Sequence, residues 1–386
     1  MGRRARATSG DSKLRDRVGR RPATEQGIRD FLRLGWTTAL AGSMIGAGAF
    51  AQPVGSPMER PASVRIPRIS LDVRWYGALP DDGLDDVEAI EEALKAARTG
   101  STVLFSEGVY DLARPLDIRF RAIEGVLPNR TPGTVWRVHP DADLSAAVVA
   151  SSSGGVSLEN VRIQCEGRAD YGIHFQHVNE SETRLENVVV SGARSAGFRL
   201  ERCQAANFSR LLALNNLGDG FQIEDCNGSS FMRLQAVLNQ GTGIAIFGGV
   251  NFSGGCFFTH GRSEANGGHG VSMDGATSMV SLEKFWIEAN ALDGVRLSDV
   301  RVARVRDCRI AGTALNGNRA IRLSDQSRQC VIDGNFVSGE GSLDYRVLEV
   351  EAGSADNVLT SNTRLVSGDT YEALPVVAVD VQRHEF

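Results

Sequence analysis

Two segments of this chain carry the same arrangement of reactive side chains 24 residues apart: Arg262-Ser263-Glu264-Ala265-Asn266 and Trp286-Ile287-Glu288-Ala289-Asn290. If the residues five, three and one before each Asn face inward, as Phe285, Ile287 and Ala289 suggest, then Arg262, Glu264, Trp286 and Glu288 share an outer face. Glu264 then lies beside Glu288, and Arg262 beside Trp286. Two carboxylates about 5 Å apart divide into an acid and a base or nucleophile, the pairing that cleaves glycosidic bonds. Tryptophan adds a flat face for a sugar ring, and arginine a grip on a uronate carboxylate. Read without chemistry, the same four residues are solvated side chains on the outside of a sheet.

A second set of candidates precedes a recurring Gly: Asp219, Thr242, His269 and Asp293. His269 and Asp293, on successive repeats, fit a base and the group that orients it. The plainer reading makes them turn residues. They follow the two Glu by five residues, so one groove can hold all four. Within each repeat, the position between two paired apolar residues reads His174, Arg199, Gln222, Ala245, Ser272, Arg296 and Arg322. These point outward, and Arg296 and Arg322 are candidates for holding an anionic polymer. No CxxC or Cys/His metal spacing occurs. No cofactor is assigned; Ca²⁺ is the one ion the acids suggest, through Glu224, Asp225 and Asp274, which form no motif.

A repeat positions all of these residues. Asn, three residues, Gly, apolar–any–apolar appears as Asn216…Gly220-Phe221-Gln222-Ile223 and Asn239…Gly243-Ile244-Ala245-Ile246. It returns as Asn266…Gly270-Val271-Ser272-Met273 and Asn290…Gly294-Val295-Arg296-Leu297, then with Ala as Asn316…Ala320-Ile321-Arg322-Leu323. Gly172 and Gly197 open two earlier copies without the Asn, and the steps from residue 172 to 320 are 25, 23, 23, 27, 24 and 26 residues. Units of this length bury a core only by stacking on their neighbours. Within each unit the apolar residues alternate, which signals strands. Three short strands and three turns fit the length, with successive coils about 4.8 Å apart. The expected fold is all-β: a single-stranded, right-handed parallel β-helix. Phe208, Phe231, Phe258, Leu282 and Cys308, each eight residues before a repeat Asn, should stack inside it. The five Asn should form a side-chain ladder at one turn.

The segment before the repeats carries a resemblance. Asp72-Val73-Arg74-Trp75-Tyr76-Gly77-Ala78 leads through Asp81-Asp82-Gly83-Leu84-Asp85-Asp86 to Ala89-Ile90…Ala93-Leu94, then Thr102-Val103-Leu104-Phe105…Gly108-Val109-Tyr110. This resembles the opening segment of pectate-lyase-superfamily β-helices, and with the repeats the resemblance covers residues 71–365. It implies a partner among extracellular polysaccharides, since lyases, glycosidases, epimerases and phage tailspikes share the segment. It also implies a short helix that plugs the first coil, capped by Asp85 or Asp86 and running to about Ala97. Gly268-His269-Gly270 resembles the Gly-His-Gly of polygalacturonases, but the preceding coil, Gly241-Thr242-Gly243-Ile244-Ala245-Ile246, lacks that family's acids. Tyr171-Gly172-Ile173-His174 matches only the edge of the alginate-epimerase motif.

Residues 1–51 read as an export signal: ten basic and four acidic residues up to position 33, an apolar run from Leu34 to Phe50, and an Ala49-Phe50-Ala51 cleavage site. Ile28-Arg29-Asp30-Phe31-Leu32-Arg33 resembles the twin-arginine signal with Ile28 in place of the first Arg. An uncleaved anchor is the alternative, although the run is shorter than the 18 residues usually needed to span. The expected order is signal (1–51), linker (52–70), β-helix (71–375) and tail (376–386), giving a periplasmic or secreted protein without stable membrane insertion. Of 42 basic and 47 acidic residues, 32 and 43 remain after cleavage, a net charge of −11 that argues against nucleic acid. Six Cys follow residue 164, and Cys203 and Cys226 share a register on adjacent coils, as a disulfide or as packed thiols. The expected function is cleavage of a uronate-containing polysaccharide by lyase or hydrolase chemistry; the alternative is a non-catalytic polysaccharide-binding or cell-surface β-helix.

Overall fold

The computed structural model describes residues 69–378, apart from 99, 129–130, 180–182, 249–252, 276, 313–317, 339–347, 368–369 and 375–376. The signal segment and Asn316 lie outside the described residues. Each coil contributes one strand to each of three parallel sheets, as in Asn207–Ser209 (sheet A), Leu212–Leu214 (sheet B) and Asp219–Glu224 (sheet C). Every such strand pairs in parallel with its counterpart one coil on. Among the described residues sheet A has 13 strands, sheet B 12 and sheet C 10.

Three-residue strands persist here because the turns hold a fixed shape. Between sheets A and B one residue takes a left-handed conformation on coil after coil: Arg210 (φ 54°), Arg233 (φ 59°), His260 (φ 56°) and Lys284 (φ 57°). Non-glycine residues resist that conformation, so the stack on either side must enforce it. The repeat Gly serves another need, close approach. A Cβ on Gly243 would sit 2.1 Å from Ser263 Oγ and 2.7 Å from the Gly270 carbonyl oxygen.

The interior is a set of columns along the axis. Phe208 and Phe231 stack with centroids 5.0 Å apart, and Phe231 and Phe258 at 4.4 Å. Leu282 follows Phe258, but the next member is Val305, not Cys308. Counting back from Asn316 assumes eight residues, whereas Val305 lies eleven before it. Cys308 occupies the turn instead, where its backbone N–H donates to Asn335 Oδ1.

The asparagine ladder forms at Asn216, Asn239, Asn266 and Asn290. Their Nδ2 groups donate to the next Oδ1 at 2.8, 2.9 and 2.9 Å, and the same oxygens accept backbone N–H groups at 3.2, 3.1 and 3.1 Å. All four are buried, so every amide bonded in this way avoids the cost of an unmet polar group.

At the front, the helix Val87–Ala96 buries Val87, Ile90, Ala93 and Leu94 in the core. Asp85 Oδ1 accepts from the Val87 N–H, while Asp86 is drawn off to the Leu79 and Asp111 N–H groups at 3.0 Å each. At the far end, Val377–Ala378 pairs antiparallel with Val358–Thr360, and Thr370–Ala373 antiparallel with Thr363–Ser367. Antiparallel pairing ends the parallel stacking there.

Candidate functional site

On sheet B the strand Arg262–Glu264 pairs with Trp286–Glu288, which places Arg262 opposite Trp286 and Glu264 opposite Glu288. Ser263 and Ile287 point into the core and leave the other four outside. Ala289 is a correction: it is exposed, in the left-handed conformation (φ 54°), because it begins the turn toward sheet C. The two carboxylates have different partners. Glu264 is ion-paired with Arg262, whereas Glu288 accepts the Trp286 indole N–H at 2.6 Å. Burial draws the Arg262 guanidinium down from the usual arginine range, and the charge of Glu288 opposes that shift.

Trp286 is 38 % exposed, and the Arg309 guanidinium lies 4.3 Å from its ring centroid. The expected stacking face is therefore covered on one side by a cation. Arg309 in turn stands 5.7 Å from the Phe336 ring. The sequence reading missed Arg309. The signal was present, because Arg309 falls one coil after Trp286, but the irregular coil that misplaced Cys308 hid it.

His269 and Asp293 meet on the turn into sheet C, but not as a base with its orienter. The Asp293 carboxylate is 3.6 Å from His269 Nδ1, and the Asp293 backbone N–H donates to that nitrogen at 3.2 Å. A neutral ring then carries its proton on Nε2, so His269 offers a donor rather than a lone pair. The Asp293 carboxylate accepts the Arg319 N–H at 2.7 Å and lies 3.3 Å from Arg322 Nε. Burial is the main force holding the His269 pKa below its ordinary value. The two Glu belong to sheet B and the His–Asp contact to the margin of sheet C, with the buried Asn266 in the turn between.

The outward row on sheet C is one register column: His174, Arg199, Gln222, Ala245, Ser272, Arg296, Arg322. Its arginines are paired with acids. Arg199 bridges Glu201 and Glu224, Arg296 reaches Asp274 at 3.0 Å, and Arg322 contacts Asp293, Glu349 and Glu351. An open cationic row does not form, because the neighbouring column supplies carboxylates that sequence spacing alone did not bring into view. The ring of His174 sits 5.2 Å from that of Tyr171, and Glu201 contacts His174 at 3.5 Å. Among the described residues no group of three His, Cys, Asp or Glu side chains is placed to hold a metal ion. Of the acids considered for Ca²⁺, Glu224 faces Arg199, and Asp274 faces Ser272 and Arg296.

Residues 171–337 match the family described as "Right handed beta helix region". The described residues form a right-handed parallel β-helix. The A-module of the Azotobacter vinelandii mannuronan C-5 epimerase AlgE4 superposes on this β-helix with a TM-score of 0.59 at 18% identity, covering 76% of this chain and 95% of that one. The AlgE6 A-module of the same organism gives 0.56 at 19% identity, over 78% and 96%. The enzymatically active domain of tailspike protein 2 of bacteriophage CBA120 gives 0.56 at 11% identity, over 76% and 47%. At such identities the likeness is one of fold. No curated protein matches the sequence. No helix among the described residues is long and apolar enough to cross a membrane.

Proposed function

We propose that this β-helix is exported and cleaves glycosidic bonds of an extracellular polysaccharide, with Glu264 and Glu288 as its catalytic carboxylates. The observation that carries this reading is their placement opposite one another on adjacent strands, one tied to a guanidinium and the other to a neutral indole N–H. Strands about 4.8 Å apart hold such a pair near the separation used in retaining hydrolysis, about 5–5.5 Å. In this reading Glu264, paired with Arg262, is the nucleophile, and Glu288 is the group that protonates the leaving oxygen. Structural likeness to a tailspike domain named as enzymatically active, and to two epimerase modules named for mannuronan, supports a polysaccharide as the substrate.

A second reading is elimination on sheet C. The contact among Tyr171, His174 and Glu201, beside Arg199, favours it, since proton removal next to a carboxylate needs an acid, a base and a cation.

The deciding experiment offers purified protein a panel of neutral and uronate polysaccharides while reducing ends and unsaturated products are followed together. New ends without unsaturated product support the Glu pair. New ends with unsaturated product transfer the chemistry to sheet C. Silence in both assays, with polymer still retained, supports a binding protein instead.

A further inference from the structure

Most arginines expected to grip an anionic sugar are occupied by carboxylates, whereas Arg309 is not. Its side chain is exposed on the strand Arg309–Ala311, between the rings of Trp286 and Phe336, 4.3 and 5.7 Å from their centroids. Among the described residues no carboxylate lies within ion-pair distance of it. Two aromatic faces hold the guanidinium in place while leaving its hydrogen-bond donors unspent. The register completes the setting. Arg309 stands opposite Trp286, Ala311 opposite Glu288, and Ser338 follows Ala311. Past Glu288 the outer column carries only the small residues Ala311 and Ser338, beside the row Trp286–Arg309–Phe336.

We infer that this stretch of small residues beside Arg309 is a subsite for an acidic sugar, with Arg309 binding its carboxylate one coil beyond Glu288. The inference rests on the reading of Glu264 and Glu288 as the site, and it assigns that site a substrate class. A carboxylate meets the guanidinium fork through two parallel hydrogen bonds, and the sugar's apolar face lies over Ala311. A neutral sugar of the same shape loses that pair of bonds. Arg262 is less suited to the role, since Glu264 already holds it.

The test separates this inference from the catalytic reading because it measures binding. A polyuronate and the same polymer with its carboxyl groups reduced to alcohols are titrated into the protein, followed by Trp286 fluorescence. The expected result is about tenfold tighter binding of the polyuronate by wild type and near-equal binding of the two polymers by Arg309→Gln. Arg309→Lys should recover part of the preference, as a point charge does without the fork. Glu288→Gln should retain the preference even if cleavage is lost. Wild type that treats the two polymers alike overturns the inference, and so does Arg309→Gln that keeps the full preference. Loss of cleavage in neither Glu variant, with the binding preference intact, would sink the catalytic reading alone.

Discussion

Glu264 and Glu288 stand opposite one another across a parallel strand pair, yet the first carboxylate is bound to a cation and the second to an indole N–H. Equivalent positions on successive coils thus carry unequal environments, which is what a division into nucleophile and acid requires. Glu264→Gln and Glu288→Gln should each lower cleavage by at least about 100-fold, measured as reducing ends released. Binding of the polymer should survive in both. Full activity in either variant would remove that residue from the mechanism.

The contact between Trp286 and Glu288 predicts a subtler effect. Trp286→Phe keeps a ring for Arg309 to cover but removes the donor to Glu288. The rate should fall with little change in polymer affinity, because Glu288 loses the indole N–H that holds its carboxylate in place. An unchanged rate with weakened affinity would mean that the indole serves only as a contact surface.

The Asn ladder is a stability device. Asn266→Ala removes the acceptor for two donors of Asn239 and the donor to Asn290. It should lower unfolding stability by about 3 kcal/mol, while the exposed Gln240→Ala changes it by less than about 0.5 kcal/mol. Denaturant unfolding of the two variants checks this. A loss at Asn266 as small as that at Gln240 would show that ladder bonds exchange for water without penalty.

His269 should stay neutral to lower pH than an ordinary histidine, because burial disfavours its charged form. The unfolded chain then binds the proton more readily than the folded one. The resulting contribution to stability is present above the usual histidine pKa and is lost as pH falls through the lowered value. His269→Gln should flatten the part of the acid-side loss that falls in that window. An NMR titration of the ring that gave an ordinary or raised midpoint would contradict this.

All six cysteines are buried free thiols. Cys203 and Cys226 share the expected column, and burial and their mutual contact raise the Cys226 pKa. Burial pushes Cys165, Cys256 and Cys308 up to about 12. A thiolate-specific reagent should therefore leave the native protein unmodified near pH 8 and label six thiols once it is unfolded. Four labelled thiols after unfolding would mean that Cys203 and Cys226 close a disulfide during oxidative folding.

What the sequence determined by itself was everything that depends on period. An interval of 23–27 residues with strand alternation admits only stacked coils, so the fold, the Phe column, the Asn ladder and the pairing of Glu264 with Glu288 were legible from spacing. Each is a relation between equivalent positions on neighbouring coils, where register alone brings residues together. Relations across columns, or past an irregular coil, were decided only in three dimensions. Counting back from Asn316 put Cys308 in the Phe column, and the extra residues of that coil gave the place to Val305. Spacing set His269 beside Asp293 but could not say that a backbone N–H, rather than the carboxylate, would reach the ring. It identified outward arginines without showing that acids two residues along the strand, or one coil away, would pair with them. Side-chain reach and rotamer choose among such partners, and both depend on the packed surface rather than on the order of residues in the chain.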